Sequence, residues 1–287
     1  MPDSDMTQPE KPEGDSYSFL KDGIKKMLLE SKKFFATKKG LRILLVGYTG
    51  SGKTTLIKNL FGVDEHQIKD LGLESTKESD EYLANIEGQD VFVIDTPGNE
   101  GFFGQMDSAI AQYVDSAKEI GIVNVVSYGY NDSKARQTGH RNKPYLNDDP
   151  NDFEISEKFL QEQREKDLQH IETFLDSAAF TGTIKWVLTI VNKVELWSDH
   201  RSEMKKHYGA NSEYQNTIFS YLSKDCQIDF CFACGEEERV KSSKLGKFHH
   251  KLNPINSSVC DELPRYNREC IEKLVNHCVN REGKPIQ

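Results

Sequence analysis

Gly47, Gly52, Lys53 and Thr54 stand in the stretch GYTGSGKT with the spacing G-x-x-x-x-G-K-[ST]. Polyphosphate oxygens need many donors at once. A glycine-rich turn lets consecutive backbone N–H groups converge on them at the positive end of a helix. In such a loop Gly47, Thr49, Gly50, Ser51, Gly52, Lys53, Thr54 and Thr55 line the phosphate chain. Lys53 reaches the terminal phosphates and the Thr54 hydroxyl binds Mg2+. The stretch sits between RILLV, an apolar run of strand length, and KTTLIKNLFG, a helical pattern closed by Gly62, which is the context this loop requires.

A phosphate loop alone does not separate an ATPase, a kinase and a GTPase, but two later stretches bear on the choice. In VFVIDTPGNEG, Asp95 ends an apolar strand and Gly98 follows three residues on. A carboxylate there can hold the water shell of Mg2+, and the Gly98 N–H is placed to sense a terminal phosphate. In LTIVNKVELW, Asn192, Lys193 and Glu195 leave the end of a second buried strand. These residues resemble the [NT]-K-x-D motif of P-loop GTPases, and the resemblance implies that the Glu195 carboxylate accepts both the N1–H and the amino hydrogens of guanine, whereas adenine turns a lone pair towards it. The competing reading of Glu195 is a surface acid that happens to follow a strand.

In this order the motifs resemble those of P-loop GTPases of the translation-factor-related class: a phosphate loop, a switch threonine, D-x-x-G and [NT]-K-x-D. The likeness spans about residues 41–280 and is greatest to Era-like and septin-like GTPases. It extends to bacterial GTPase-domain proteins with a similar NVVSYGY strand and base motif, which implies a bacterial origin. The resemblance implies an α/β fold of three layers, a P-loop NTPase (Ras-like G domain) with a mostly parallel sheet and one antiparallel strand. It implies GTP and GDP as ligands, Mg2+ as cofactor, and hydrolysis as the reaction. Thr76, or its neighbours Ser75 or Ser79, becomes the switch residue that completes the metal shell. Ala233 and Cys234 in CFACG become the backbone that lies against the base. The catalytic set on this reading is Lys53, Thr76 and Gly98, and the metal set is Thr54, Thr76 and Asp95.

Two departures qualify the likeness. Glu195 replaces the family's aspartate and adds a methylene, about 1.5 Å of reach. Asn99 stands where many small GTPases place the glutamine that orients water, so slow intrinsic hydrolysis is expected, stimulated by a protein effector, by self-association in a homodimer or by a rearranged loop. Rival readings are a pseudo-GTPase scaffold, an assembling septin-like or dynamin-like GTPase, and an ATP-using P-loop enzyme.

Positioning these residues needs alternating strands and helices, and the chain supplies them. DEYLANIEGQDVFVIDT alternates and turns at Gly88, which predicts a hairpin, and residues 106–121 read as a helix that stops at Gly121. IVNVVSYGY reads as a strand and residues 154–177 as a long charged helix. IKWVLTIVN is a strand, 213–223 a helix, IDFCFAC a strand, and 265–280 the last helix. Residues 129–155 form an insertion too long for an ordinary connection. Its Arg136 and Arg141 are candidates for an arginine finger across a dimer, against the plainer reading of a solvated charged loop.

The domain plan is therefore a tail over 1–15, a basic amphipathic helix over 16–40, and a GTPase domain over 41–287. The tail is acidic, contains prolines and has almost nothing to bury, so disorder is expected. The helix carries seven lysines against Asp22 and Glu30, although the whole chain of 287 residues has a formal charge of −9. Nucleic acid is not expected as a partner on that balance. The helix suits docking on the domain or on a protein partner better than a membrane surface. No apolar run approaches a spanning length and no signal core is visible, which predicts a cytoplasmic protein. Six cysteines lie in the last quarter without the regular spacing of a disulfide scaffold. Among them, Cys231-x-x-Cys234 with His249 and His250 downstream raises a zinc site against the commoner alternative of buried thiols.

Overall fold

The computed structural model describes residues 41–61, 63, 80–86, 89–96, 98, 119–131, 157–176, 184–235 and 257–279. Six strands form one sheet: β1 (Leu41–Val46), β2 (Asp80–Ile86), β3 (Gln89–Asp95), β4 (Glu119–Val126), β5 (Ile184–Val191) and β6 (Gln227–Phe232). Their order across the sheet is β2-β3-β1-β4-β5-β6. Only the β2–β3 pair is antiparallel, with Asp80 opposite Asp95 and Ile86 opposite Gln89, as the alternating hairpin pattern predicts. All other neighbours run parallel.

Side-chain alternation along the strands builds two cores. Ile43, Leu45, Val91, Val93, Val123, Val125, Leu188 and Ile190 point to one face. There they meet α1 (Lys53–Leu60) through Leu56 and Ile57, and α6 (Ser257–Val279) through Cys270 and Leu274. Leu44, Val46, Ile94, Ile122, Val126, Val187 and Val191 point to the other. That face is covered by α2 (Glu157–Asp176), α3 (Val194–Trp197), α4 (Arg201–Tyr208) and α5 (Glu213–Ser220). The result is the three-layer α/β arrangement expected, in which a parallel sheet buried on both faces reads as continuous apolar runs.

Several boundaries differ from expectation. Glu119–Gly121, read as the end of a helix, belong to β4. Gly121 is there because the indole of Trp186 lies on it: a Cβ would fall 2.0 Å from that ring, and the register shifts between Ile120 and Gly121. Trp186 in turn stacks on His277 at 4.9 Å. The last helix starts at Ser257, not at 265, and runs through Pro264. Leu263, Tyr266, Asn267, Cys270, Leu274 and His277 make a buried stripe at helical spacing, and that burial outweighs the break a proline usually imposes. Helices α3 and α4, in a stretch the periodicity left unassigned, anchor the second core through Trp197, Met204 and Tyr208. The start of α5 is capped by Ser212, whose hydroxyl accepts from Gln215 N–H at 3.1 Å. The tail, the basic helix, the helix expected from 106 and most of the insertion lie outside the described residues. Among the described residues, no helix is long and apolar enough to cross a membrane.

Candidate functional site

Strands β1, β3, β4, β5 and β6 deliver their carboxyl ends to one edge of the sheet, where ligands of parallel α/β sheets bind. The loop from Gly47 to Gly52 leaves β1 there and feeds α1. Gly52 is the N-cap with φ +96°, no side chain caps the helix, and its first turn holds no acid. The opening N–H groups of a helix have no intrahelical partner, so this end offers donors and positive potential to an anion.

Lys53 is buried and its ammonium donates to Gly47 O at 2.7 Å, folding back over the loop. Burial lowers its pKa, opposed by the carboxylates of Asp95 and Asp167. A buried ammonium with one carbonyl acceptor has donors to give, and a phosphate oxygen is the partner that this geometry suits. Gly98 closes the same ring: its carbonyl accepts from Thr49 N–H at 2.9 Å, and a Cβ there would lie 2.8 Å from Lys53 Nζ. Thr54 Oγ1 donates to Asp95 Oδ2 at 3.0 Å, with Asp95 fully buried at the end of β3. A hydroxyl beside a buried carboxylate is the oxygen donor set that Mg2+ prefers, so the residues present fit the ion. Asp95 is fixed by its neighbour as well, since Thr96 donates to Leu45 O through both its N–H, at 3.1 Å, and its hydroxyl, at 2.9 Å.

The second half of the site is locked to the first by side chains of the segment that leaves β5. Asn192 donates through Nδ2 to Ser51 O at 3.0 Å and accepts through Oδ1 from Gly235 N–H at 3.0 Å. Its own carbonyl accepts from the Trp197 indole N–H at 2.8 Å. Lys193, held at φ +61°, donates to Gly50 O at 2.6 Å and to Tyr130 O at 2.7 Å. Glu195 lies in the first turn of α3, half-buried. Ala233 pairs with the end of β5, its N–H donating to Val191 O at 3.1 Å and its carbonyl accepting from Val194 N–H at 3.2 Å. The Cys234 peptide is clasped by Asn267, which accepts from its N–H at 2.9 Å and donates to its carbonyl at 3.1 Å.

Residues 47–55, 95, 98, 192–195, 233 and 234, gathered from the sequence across nearly two hundred positions, thus converge at one sheet edge. Thr76, Ser75, Ser79, Asn99, Arg136 and Arg141 lie outside the described residues. Cys231 and Cys234 do not form a shared site. They are three residues apart on extended chain, so Cys231 faces the α1/α6 core and Cys234 the opposite one. Cys231 instead hydrogen-bonds with Cys270, and burial raises its thiol pKa well above the ordinary range.

Several contributors escaped the sequence reading. Gly235 donates its N–H to Asn192 Oδ1 and accepts on its carbonyl from the Asn59 amide of α1. Asn131, the turn before it and Asp167 of α2 brace the loop from below. For Asp167 a signal existed: Gln163, Arg164, Asp167 and His170 fall on the same helical stripe as Leu160, Ile171 and Phe174, so polar residues stand on the buried face.

Residues 42–152 match a family model described as 50S ribosome-binding GTPase. No curated protein matches the chain. Among solved structures, the crystal structure of the bacterial selenocysteine-specific elongation factor EF-Sec matches with a TM-score of 0.38 and 18% identity. The alignment covers 75% of this chain and 29% of that one. The family match and the loop geometry together support a P-loop GTPase domain, with GTP and GDP as the ligands to expect.

Proposed function

We propose that this protein binds GTP with Mg2+ at the 47–55 loop, hydrolyses it slowly, and uses the change at Thr76 and Gly98 to alter contact with a protein partner or a second copy of itself. The observation that carries the reading is the closed ring of Gly47, Lys53, Thr49 and Gly98 beside the Thr54–Asp95 pair. It places a cation, a carboxylate and a helix start around one small volume. Bound Mg2+ would neutralise charge on the terminal phosphates, held by Thr54, Asp95 and the switch threonine. Lys53 exchanges its Gly47 contact for phosphate oxygens, and the loop amides orient the chain. Gly98 sits within the same ring, so loss of the terminal phosphate is communicated to the segment after Asp95. Asn99 in place of glutamine supports a low intrinsic rate, because the shorter amide reaches less far towards an attacking water.

Calorimetry of Mg2+–GTP against Mg2+–ATP, with phosphate release followed across protein concentration, tests the whole reading. The expected result is GTP preferred at least tenfold, and turnover that rises with protein concentration or on adding a partner. Lys53→Ala should remove triphosphate binding in the micromolar range. Equal affinity for ATP, or undiminished binding by Lys53→Ala, would overturn the assignment.

A further inference from the structure

The phosphate loop rests on a support that none of the nucleotide motifs includes. The turn Ser127–Asn131 leaves β4, with Tyr128 at φ +51° and Gly129 at φ +89°. It brings the Asn131 carbonyl so close to Gly50 that an added Cβ would sit 1.7 Å away. The adjoining Tyr130 carbonyl accepts the Lys193 ammonium, which also holds Gly50 O. Asn131 is fully buried, takes the Ser127 hydroxyl on its Oδ1, and donates through Nδ2 to Asp167 Oδ1 at 2.7 Å. Asp167 is buried in the middle of α2, and the turn lies on that helix through Arg164 stacked 4.6 Å over Tyr128. His170, one turn further, meets the ring of Tyr48 inside the phosphate loop at 6.0 Å. An unbroken chain of contacts therefore runs from α2 through Asn131 to the loop and the base-side lysine.

We propose that Asp167 is a positioning residue for nucleotide binding, acting through Asn131 to hold Gly50 and Lys193 in register with the phosphate chain. This rests on the reading of the site as a guanine nucleotide site. A side chain placed only to fill the core would be served by leucine; a buried carboxyl costs free energy unless its hydrogen bond does something. Burial raises the Asp167 pKa to about 8, against the opposing pull of the Asn131 amide and of Lys193, Lys53 and Arg164. The Asn131 contact needs an acceptor oxygen at that point, which a carboxyl or an amide can supply. Burial also raises the Tyr208 and Tyr214 hydroxyls on the facing helices above their ordinary range.

The test measures Mg2+–GDP and Mg2+–GTPγS affinity by calorimetry at pH 7 for wild type, Asp167→Ala, Asp167→Asn, Asn131→Ala and the double alanine variant, each checked for folding by its melting transition. Asp167→Ala and Asn131→Ala should each weaken binding about tenfold at temperatures well below their melting points. The double variant should be no more than about twofold worse than either, because both act on one linkage. Asp167→Asn keeps an acceptor oxygen and should bring affinity back to within about threefold of wild type. Asn131→Ala carries the test from the turn side should Asp167→Ala not fold. Multiplying effects in the double variant, unaltered affinity in a folded single alanine variant, or an Asp167→Asn as weak as Asp167→Ala would each overturn the inference. Wild-type protein that takes up no guanine nucleotide would instead defeat the functional reading on which it stands.

Discussion

Gly50 is held at φ +83° with its α-carbon against the Asn131 carbonyl, a placement that no side chain tolerates. Replacement by alanine meets two costs: the left-handed backbone, about 1–2 kcal/mol, and the displacement of a backbone oxygen that cannot rotate away. The loop must open at that point, and its carbonyl then no longer receives Lys193. Gly50→Ala should weaken Mg2+–GTP binding by about 30-fold or more, since each ~1.4 kcal/mol is a factor of ten. Calorimetry of the variant beside wild type reads that loss. Binding within threefold of wild type would show that the loop is not held where Gly50 now sits. Gly47, Gly52, Lys53 and Thr54 were legible from spacing, because phosphate binding imposes a local pattern of residues, and Asn192 through the resemblance of its stretch to a family motif. Asn131 and Asp167 were not legible, because their meaning arises only when a turn and a distant helix are brought beneath that pattern.

At the scale of elements, the helices and strands that carry the motifs serve also to fix one another. The order and type of the six strands followed from apolar runs and the hairpin alternation, and so did α1 and α2. What escaped was decided by packing. Glu119–Gly121 have the residue types of a helix end, yet the Trp186 indole needs a glycine beneath it and the chain extends there as β4. The last helix was expected only from 265, but it starts at Ser257 and runs through Pro264, with a buried stripe from Leu263 to His277. The same helix reaches the site through Asn267, whose amide makes both hydrogen bonds to the buried Cys234 peptide. Asn267→Ala removes both and should destabilise the fold by about 2–6 kcal/mol, each buried group left unpaired costing roughly 1–3 kcal/mol. The loss should appear as a lower urea midpoint with an unchanged slope. Guanine affinity should fall along with it, because residues 233–235 lose their backing from α6. A midpoint equal to that of wild type would mean that the clasp is dispensable.

For the molecule as a whole, the buried ionisable groups of the α2–α5 face set how stability depends on pH. His170 and His207 are kept neutral by burial, at pKa values of about 3 and about 4, whereas an unfolded histidine titrates near its ordinary 6.5. As pH falls below 6.5 the unfolded chain takes up two protons that the folded chain refuses, and stability drops towards pH 4. Asp167 acts in the other direction: raised to about 8 when folded, against 3.8 as a free side chain, it keeps its proton while the unfolded chain has released it. Its contribution is therefore complete below pH 4 and is lost as pH climbs to about 8. Between pH 4 and 6.5 the histidines make stability rise with pH, and between 4 and 8 the aspartate works against that rise. The two histidines and the aspartate thus pull the pH dependence in opposite directions on either side of the ordinary histidine range. Lys53, whose pKa burial lowers, opposes the alkaline fall, so the decisive comparison is between wild type and Asp167→Asn. Urea unfolding at pH 5, 6.5 and 8 should show the variant gaining on wild type steadily as pH rises. His207→Gln should flatten part of the acid limb, less than a fully buried histidine would, because His207 is only half-buried. A constant difference between wild type and Asp167→Asn across that range would mean that Asp167 ionises alike in the folded and unfolded chain. The carboxyl would then not be sealed in the interior beneath the phosphate loop.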